Sequence, residues 1–150
     1  MEENTFVEWK DSYSVGIPKI DAQHQELVQL TARLYDACLS GTETARFYFK
    51  QAMHDIVQYV NFHFSAEEKL MERIGFPGLP EHKRQHEAFV KKVLEDVKKF
   101  ESGKAIVPNI FARFLRDWIL THIAEVDKEY GEYVKFFKKE SEVEDMVIPS

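Results

Sequence analysis

The stretch from Asn61 to Phe89 reads NFHFSAEEKLMERIGFPGLPEHKRQHEAF and holds the residues best suited to chemistry. His63 and Glu67 stand four apart, a Gly/Pro break follows, and His82 and His86 again stand four apart. On an α-helix, residues four apart lie on the same face, one above the other. One helix would offer an imidazole beside a carboxylate, and the next, running back, two imidazoles. Imidazole and carboxylate together suit zinc, iron and copper. A lone HxxxH says little; two ligand pairs joined by a short turn say more, and the rest of the chain decides the matter.

The elements that must carry these pairs are legible as apolar stripes. A first helix starts between Pro18 and Asp21, with Pro at home in its first turn and Asp as a cap. Leu27, Val28, Leu30, Leu34, Tyr35 and Cys38 give it an inner side, His24 lies in its first two turns, and Ser40-Gly41-Thr42 ends it. In the second helix, Met53, Ile56, Val60, His63, Glu67, Leu70 and Ile74 recur at steps of three and four, one core-facing stripe. Gly75 to Pro80 stops it. The third runs from near Pro80 to Ser102-Gly103, with His82, His86, Phe89, Val93, Val97 and Phe100 inward and its lysines outward. The fourth opens near Pro108 and turns Phe111, Leu115, Trp118, His122 and Val126 inward, continuing through Tyr130, Tyr133 and Phe137.

Four such helices with short connections predict an all-α, antiparallel up-down-up-down four-helix bundle over 18–137. Residues 1–17 read as an extended arm anchored by Trp9, and 138–150 as a polar tail that is frayed or laid loosely on the body. The whole, 1–150, is one domain by size.

Five of the six histidines, His24, His63, His82, His86 and His122, project from the inner faces. Buried histidines without a metal would need five separate hydrogen-bond partners. His54 lies off the stripe and is set aside as a surface residue or one behind the ligands. With Glu67 and Asp127 there are seven candidates, too many for one tetrahedral zinc and too poor in acids for calcium or magnesium. Seven side chains suit two octahedral metals bridged by both carboxylates and a solvent oxygen, leaving one position open for a small ligand. Asp127 strains this reading, because residues five apart stand about 140° apart round an ideal helix. A π-type bulge between His122 and Asp127 would bring them together; Glu125, three residues after His122, is the alternative acid.

Composition narrows the function classes. A chain of 150 residues buries roughly 70% of its unfolded surface, enough for a core. The net charge is −6, and no Lys/Arg cluster stands free of interleaved acids, which argues against nucleic acid and anionic membranes as partners. The single cysteine, Cys38, excludes an internal disulfide and a thiolate metal site. No run approaches the roughly 20 apolar residues of a membrane span, and MEENTFVEWK is no secretory signal; a cytoplasmic protein without membrane insertion is expected.

The set as a whole resembles the hemerythrin family, and more closely the bacterial hemerythrins: a histidine in the first helix, HxxxE in the second, HxxxH in the third, HxxxxD in the fourth, and the opening WKDSYSVGIPKIDAQHQEL. The resemblance covers about residues 6–137. It implies a non-haem di-iron centre, carboxylate- and oxo/hydroxo-bridged, that binds dioxygen reversibly. His82, His86 and His122 would hold one iron; His24 and His63 would hold the other, which keeps the open position; Glu67 and Asp127 would bridge, and the family spacing favours Asp127 over Glu125. Leu27, Phe64, Trp118, Ile119 and Ile123 would form an apolar ligand pocket. The role implied is oxygen storage, transport or delivery rather than catalysis, by a monomer, with an O2-consuming enzyme as a further partner. Two other classes compete. A ferritin-like di-iron oxidase or oxygen scavenger would use Glu-x-x-His pairs, and no histidine here has Glu three places before it. An O2 or NO sensor calls for an output domain, which the tail after Lys138 is too short to be.

Overall fold

The computed structural model describes residues 6–38, 43–103, 108–137 and 140–147. The turn expected at Ser40-Gly41-Thr42 lies outside them, as do the first five residues of the arm and 138, 139 and 148–150 of the tail. Among the described residues there is no strand. The chain forms a four-helix bundle from α1 (Pro18–Cys38), α2 (Glu43–Ile74), α3 (Leu79–Glu101) and α4 (Pro108–Thr121). A π-helical turn, His122–Asp127, joins α4 to α5 (Lys128–Phe137), and α6 (Glu140–Met146) follows. α1 packs against α2 and α4, and α2 against α3. No helix among the described residues is long and apolar enough to cross a membrane.

The α2 stripe forms because its apolar residues share one side, and the helix ends where the chain supplies a left-handed residue. Gly75 has φ +70°, and its N–H donates to the Glu72 carbonyl while that of Phe76 donates to the Met71 carbonyl. This closing pattern satisfies the last carbonyls and turns the chain into α3, whose first turn holds Pro80.

The two ends of the chain differ from their expected forms. The arm contains one 3-10 turn, Asp11–Tyr13, and is held by buried Val7, Val15 and Ile17 and by Phe6 stacked on Tyr35 at 3.9 Å. Trp9 is only partly buried, so small branched side chains anchor the arm and not the indole. Asp21 sits inside the first turn of α1, and its carboxylate accepts from Ser14 Oγ at 2.5 Å and the Val15 N–H at 2.9 Å. It ties down the arm instead of capping the helix. The tail is neither frayed nor loose where it is described. Val143 of α6 and Val147 just after it are buried, Glu144 accepts from the Lys19 N–H at 3.1 Å, and Arg73 donates to the Met146 carbonyl at 2.6 Å.

The core is in two blocks. One contains Leu27, Leu34, Phe49, Ile56, Phe89 and Leu115 among others; the second contains Ile17, Ile20, Leu70, Met71, Tyr130 and Val143 among others. Gly131 lets the arm approach the second block, since a Cβ there would lie 2.5 Å from the Val15 carbonyl oxygen.

Candidate metal centre

Between the two blocks lies a polar layer, one turn thick on each helix. His24 falls between Ile20 and Leu27, His63 and Glu67 between Val60 and Leu70, His82 and His86 ahead of Phe89, and His122 and Asp127 between Ile119 and Tyr130. None of the seven is more than 4% exposed. Asp127 enters the layer because the segment from His122 is a π-helical turn, and the wider turn brings residues five apart onto one face. Asp127 is fully buried, whereas Glu125 points outward. The same turn rotates Val126 to a half-buried position, so the inward register expected for it is corrected and passes to Asp127, Tyr130 and Val134. His54 is 48% exposed and pairs with Glu101 on the surface.

The donor atoms converge in two overlapping groups, one made by Glu67, His82, His86, His122 and Asp127 and the other by His24, His63, Glu67 and Asp127. Glu67 and Asp127 belong to both, and each divides its oxygens between them. Asp127 Oδ2 lies 3.0 Å from His24 Nε2, and Oδ1 lies 2.9 Å from His82 Nε2 and 3.1 Å from His122 Nε2. Glu67 Oε1 contacts His63 Nε2 and lies 3.2 Å from His24 Nε2, while Oε2 lies 3.6 Å from His82 Nε2. His122 Nε2 stands 3.1 Å from the Nε2 atoms of both His82 and His86.

Protons balance this layer in the metal-free chain. Burial disfavours the His24 imidazolium, but Asp127 and Glu67 outweigh it and raise its pKa to about 9. His82 follows the same logic, burial opposed by Asp127 and Glu67, and reaches about 10. Burial outweighs Glu67 at His63 and lowers its pKa. Burial opposes ionisation of both carboxylates, yet His63 and His24 at Glu67, and His122 and His24 at Asp127, hold them well below the usual carboxylate range. Two carboxylates thus face two imidazolium ions at neutral pH.

Glu67 Oε2 and both oxygens of Asp127 are buried with only imidazole nitrogens beside them and no hydrogen bond of good geometry, in a protein where such atoms are normally satisfied. Cations would satisfy them, and imidazoles with carboxylates shared between two groups fit a pair of ions. A family model described as the hemerythrin HHE cation binding domain matches residues 15–134. The chain belongs to the hemerythrin family. It is 33% identical over 127 residues to a bacteriohemerythrin of Stenotrophomonas maltophilia, a match covering 85% of this chain and 80% of that protein. It is 30% identical over 122 residues to the myohemerythrin of Riftia pachyptila, covering 81% and 88%. A solved wild-type hemerythrin structure superimposes with a TM-score of 0.79 at 30% identity, covering 85% of this chain and 96% of the other. The hemerythrin family binds a non-haem di-iron centre, and the buried histidine, glutamate and aspartate groups here could hold it.

Three residues that the sequence reading missed complete this hemerythrin layer. His63 Nδ1–H donates to buried Gln23 Oε1 at 2.7 Å, and His86 Nδ1–H donates to Glu68 Oε2 at 2.9 Å. Each bond leaves Nε2 as the free lone pair facing the layer, the usual way a second partner orients a ligating imidazole. Tyr130 is fully buried with its hydroxyl unpartnered, and burial next to Glu67 and Asp127 keeps it neutral by raising its pKa well above the ordinary value. The only available signal was adjacency: Gln23 precedes His24, Glu68 follows Glu67, and Tyr130 lies three beyond Asp127.

The expected pocket residues Leu27, Phe64, Ile119 and Ile123 are buried in one continuous apolar cluster, and Trp118 packs against it partly buried. Two of them lie close on the three-histidine group: Phe64 stacks on His86 at 3.7 Å and Trp118 on His122 at 4.4 Å. Phe64 is farther from His63, at 6.0 Å.

Proposed function

We propose that this hemerythrin-family protein binds dioxygen reversibly at a non-haem di-iron centre, for oxygen storage, transport or delivery. The observation that carries the reading is the pair of carboxylates, each with its oxygens divided between a two-histidine and a three-histidine group. His82, His86 and His122 would hold one iron, His24 and His63 the other, and Glu67 and Asp127 would bridge. An iron pair held there would supply the electrons that dioxygen takes up on binding and returns on release.

The protein's part is to hold and to exclude. Gln23 and Glu68 fix the His63 and His86 rings with Nε2 turned inward. Leu27, Phe64, Trp118, Ile119 and Ile123 form the apolar wall of the ligand pocket, and a dry wall keeps out the water and protons that would end reversibility. Reversible binding needs no protein acid or base at the ligand, and the described acids of the layer are occupied with histidines. We place the protein in the cytoplasm as a monomer that hands oxygen to an O2-consuming enzyme.

The test is an optical spectrum with iron quantitation, taken as anaerobically reduced protein is aerated and then deoxygenated. About two irons per chain, expected for a paired site, with charge-transfer bands that appear in air and bleach on deoxygenation support the reading. Bands that form once and persist would overturn reversible binding in favour of an oxidase or scavenger.

A further inference from the structure

The outer face of α2 and α3 carries an open groove of about 600 Å³ lined by Phe64, Ser65, Glu68, His86, Val90 and Leu94 among others. Beneath it runs a slit of about 10 Å³ between the helices, walled by Ile56, Val60, Phe89, Val90, Val93 and Leu115. Groove and slit share Asn61, Val90 and Leu94, whose side chains form the partition between them. Leu94 at this mouth is 40% exposed, whereas Ile56, Val60, Phe89, Val93 and Leu115 are all buried. Movement of Val90 and Leu94 would therefore join solvent to the first apolar block.

Its dimensions and chemistry select an occupant. A void of about 10 Å³ holds roughly one water-sized molecule. Water needs two or more polar partners to stay in such a space, and beyond Asn61 at the mouth every wall residue is aliphatic or aromatic. An apolar diatomic gives up no hydrogen bonds on entering. At its inner end the slit reaches Phe89, which stacks on Trp118 at 3.9 Å and lies 6.0 Å from Phe64. Those two rings in turn lie on His122 and His86.

We infer that the α2–α3 seam at Val90 is the inlet and a transient binding site for dioxygen, leading by way of Phe89 to the apolar wall of the metal centre. The identity of the gas rests on the function proposed above; the seam itself rests on the packing. Val90 is the gate because it borders both groove and slit and is only partly buried.

Dissolved dioxygen is paramagnetic and speeds the relaxation of any methyl group it visits. The full chain loaded with zinc, which does not react with dioxygen, would be studied by methyl NMR under oxygen pressure. Relaxation at the methyls of Ile56, Val60, Val93 and Leu115 is expected to exceed several-fold that at Ile20 and Leu70, equally buried in the second block. Val90→Phe should reduce the excess and Val90→Ala should increase it. In the iron-loaded protein Val90→Phe should slow oxygen association and dissociation by the same factor, leaving Kd unchanged. Seam methyls that relax no faster than Ile20 and Leu70, or that ignore both substitutions, would overturn the inlet. A chain that fails to bind dioxygen reversibly would instead strike the functional reading, since the zinc experiment measures access alone.

Discussion

Glu67 and Asp127 reach the same two histidines from different helices: each turns one oxygen toward His24 Nε2 and the other toward His82 Nε2. In the metal-free protein they are the counter-ions of those imidazoles. Asp127→Asn would leave buried positive charge partly unpaired, and breaking a buried pair in this way costs about 3–5 kcal/mol. Urea unfolding of the metal-free variant at neutral pH should show that loss, and metal analysis of the loaded variant should show less than the full complement of ions.

Metal uptake should release protons. His24, raised to about 9, and His82, raised to about 10, are charged at neutral pH, yet a ligating imidazole must be neutral. Calorimetry in buffers of different ionisation enthalpy should therefore report about two protons released per chain at pH 7, and affinity should rise with pH. The same raised values fix the sign for the metal-free fold. Their contribution to stability is complete below the unfolded histidine value and is lost as pH climbs through 9 to 10. A metal-free melting temperature that rose across that window would contradict this.

Glu68→Ala and Gln23→Ala remove the groups that orient His86 and His63 while leaving the imidazoles in place. Loss of such a supporting hydrogen bond typically lowers metal affinity about 10–100-fold. Competition with a chromophoric chelator should place both variants in that range. Unchanged affinity would mean that packing alone sets the rings.

Gly131→Ala should dislodge the arm. The new methyl would meet the Val15 carbonyl oxygen, a backbone atom with little room to yield, and overpacking of this kind costs about 1–3 kcal/mol. Increased proteolysis near Ser14, with the optical properties of the loaded centre retained, would identify the arm as the part displaced.

Cys38 donates to the Leu34 carbonyl at 3.3 Å, and burial pushes its thiol up to about 11. Since the thiolate is the nucleophile, alkylation of the native protein should be slow at pH 8 and accelerate toward pH 11. Denatured protein should react readily at pH 8.

How much of this was legible depended on whether an interaction ran along one helix or across several. The α2 stripe, the two i,i+4 pairs and the break at Gly75 are properties of single helices and stand in the sequence as spacing. The π turn was legible for the opposite reason: His122 and Asp127 could share a face only if the helix departed from its ideal pitch. Val126 departs from the expected inward position because the ideal register, four residues on from His122, does not hold inside that turn. Gln23 and Glu68 were invisible because their partners lie 40 and 18 residues away, across helix boundaries. At the ends, the size of Trp9 suggested an anchor, whereas Val7, Val15 and Ile17 fill the available space. Val143 and Val147 make a stripe of only two residues in an acidic stretch, too short to announce a docked helix.

The polar layer has a consequence for how the molecule comes apart. It cuts the core into two blocks; the arm spans both, with Phe6 and Tyr13 on the first and Val15 and Ile17 on the second, while Val143 and Val147 join the second. Filled with ions, or protonated on two histidines, the layer fastens the blocks together. Emptied of both at alkaline pH, it leaves like charges facing each other across the joint, and the two blocks lose what fastens them. Ion content then decides whether heat unfolds the chain in one cooperative step or in two, and scanning calorimetry with and without metal distinguishes one transition from two.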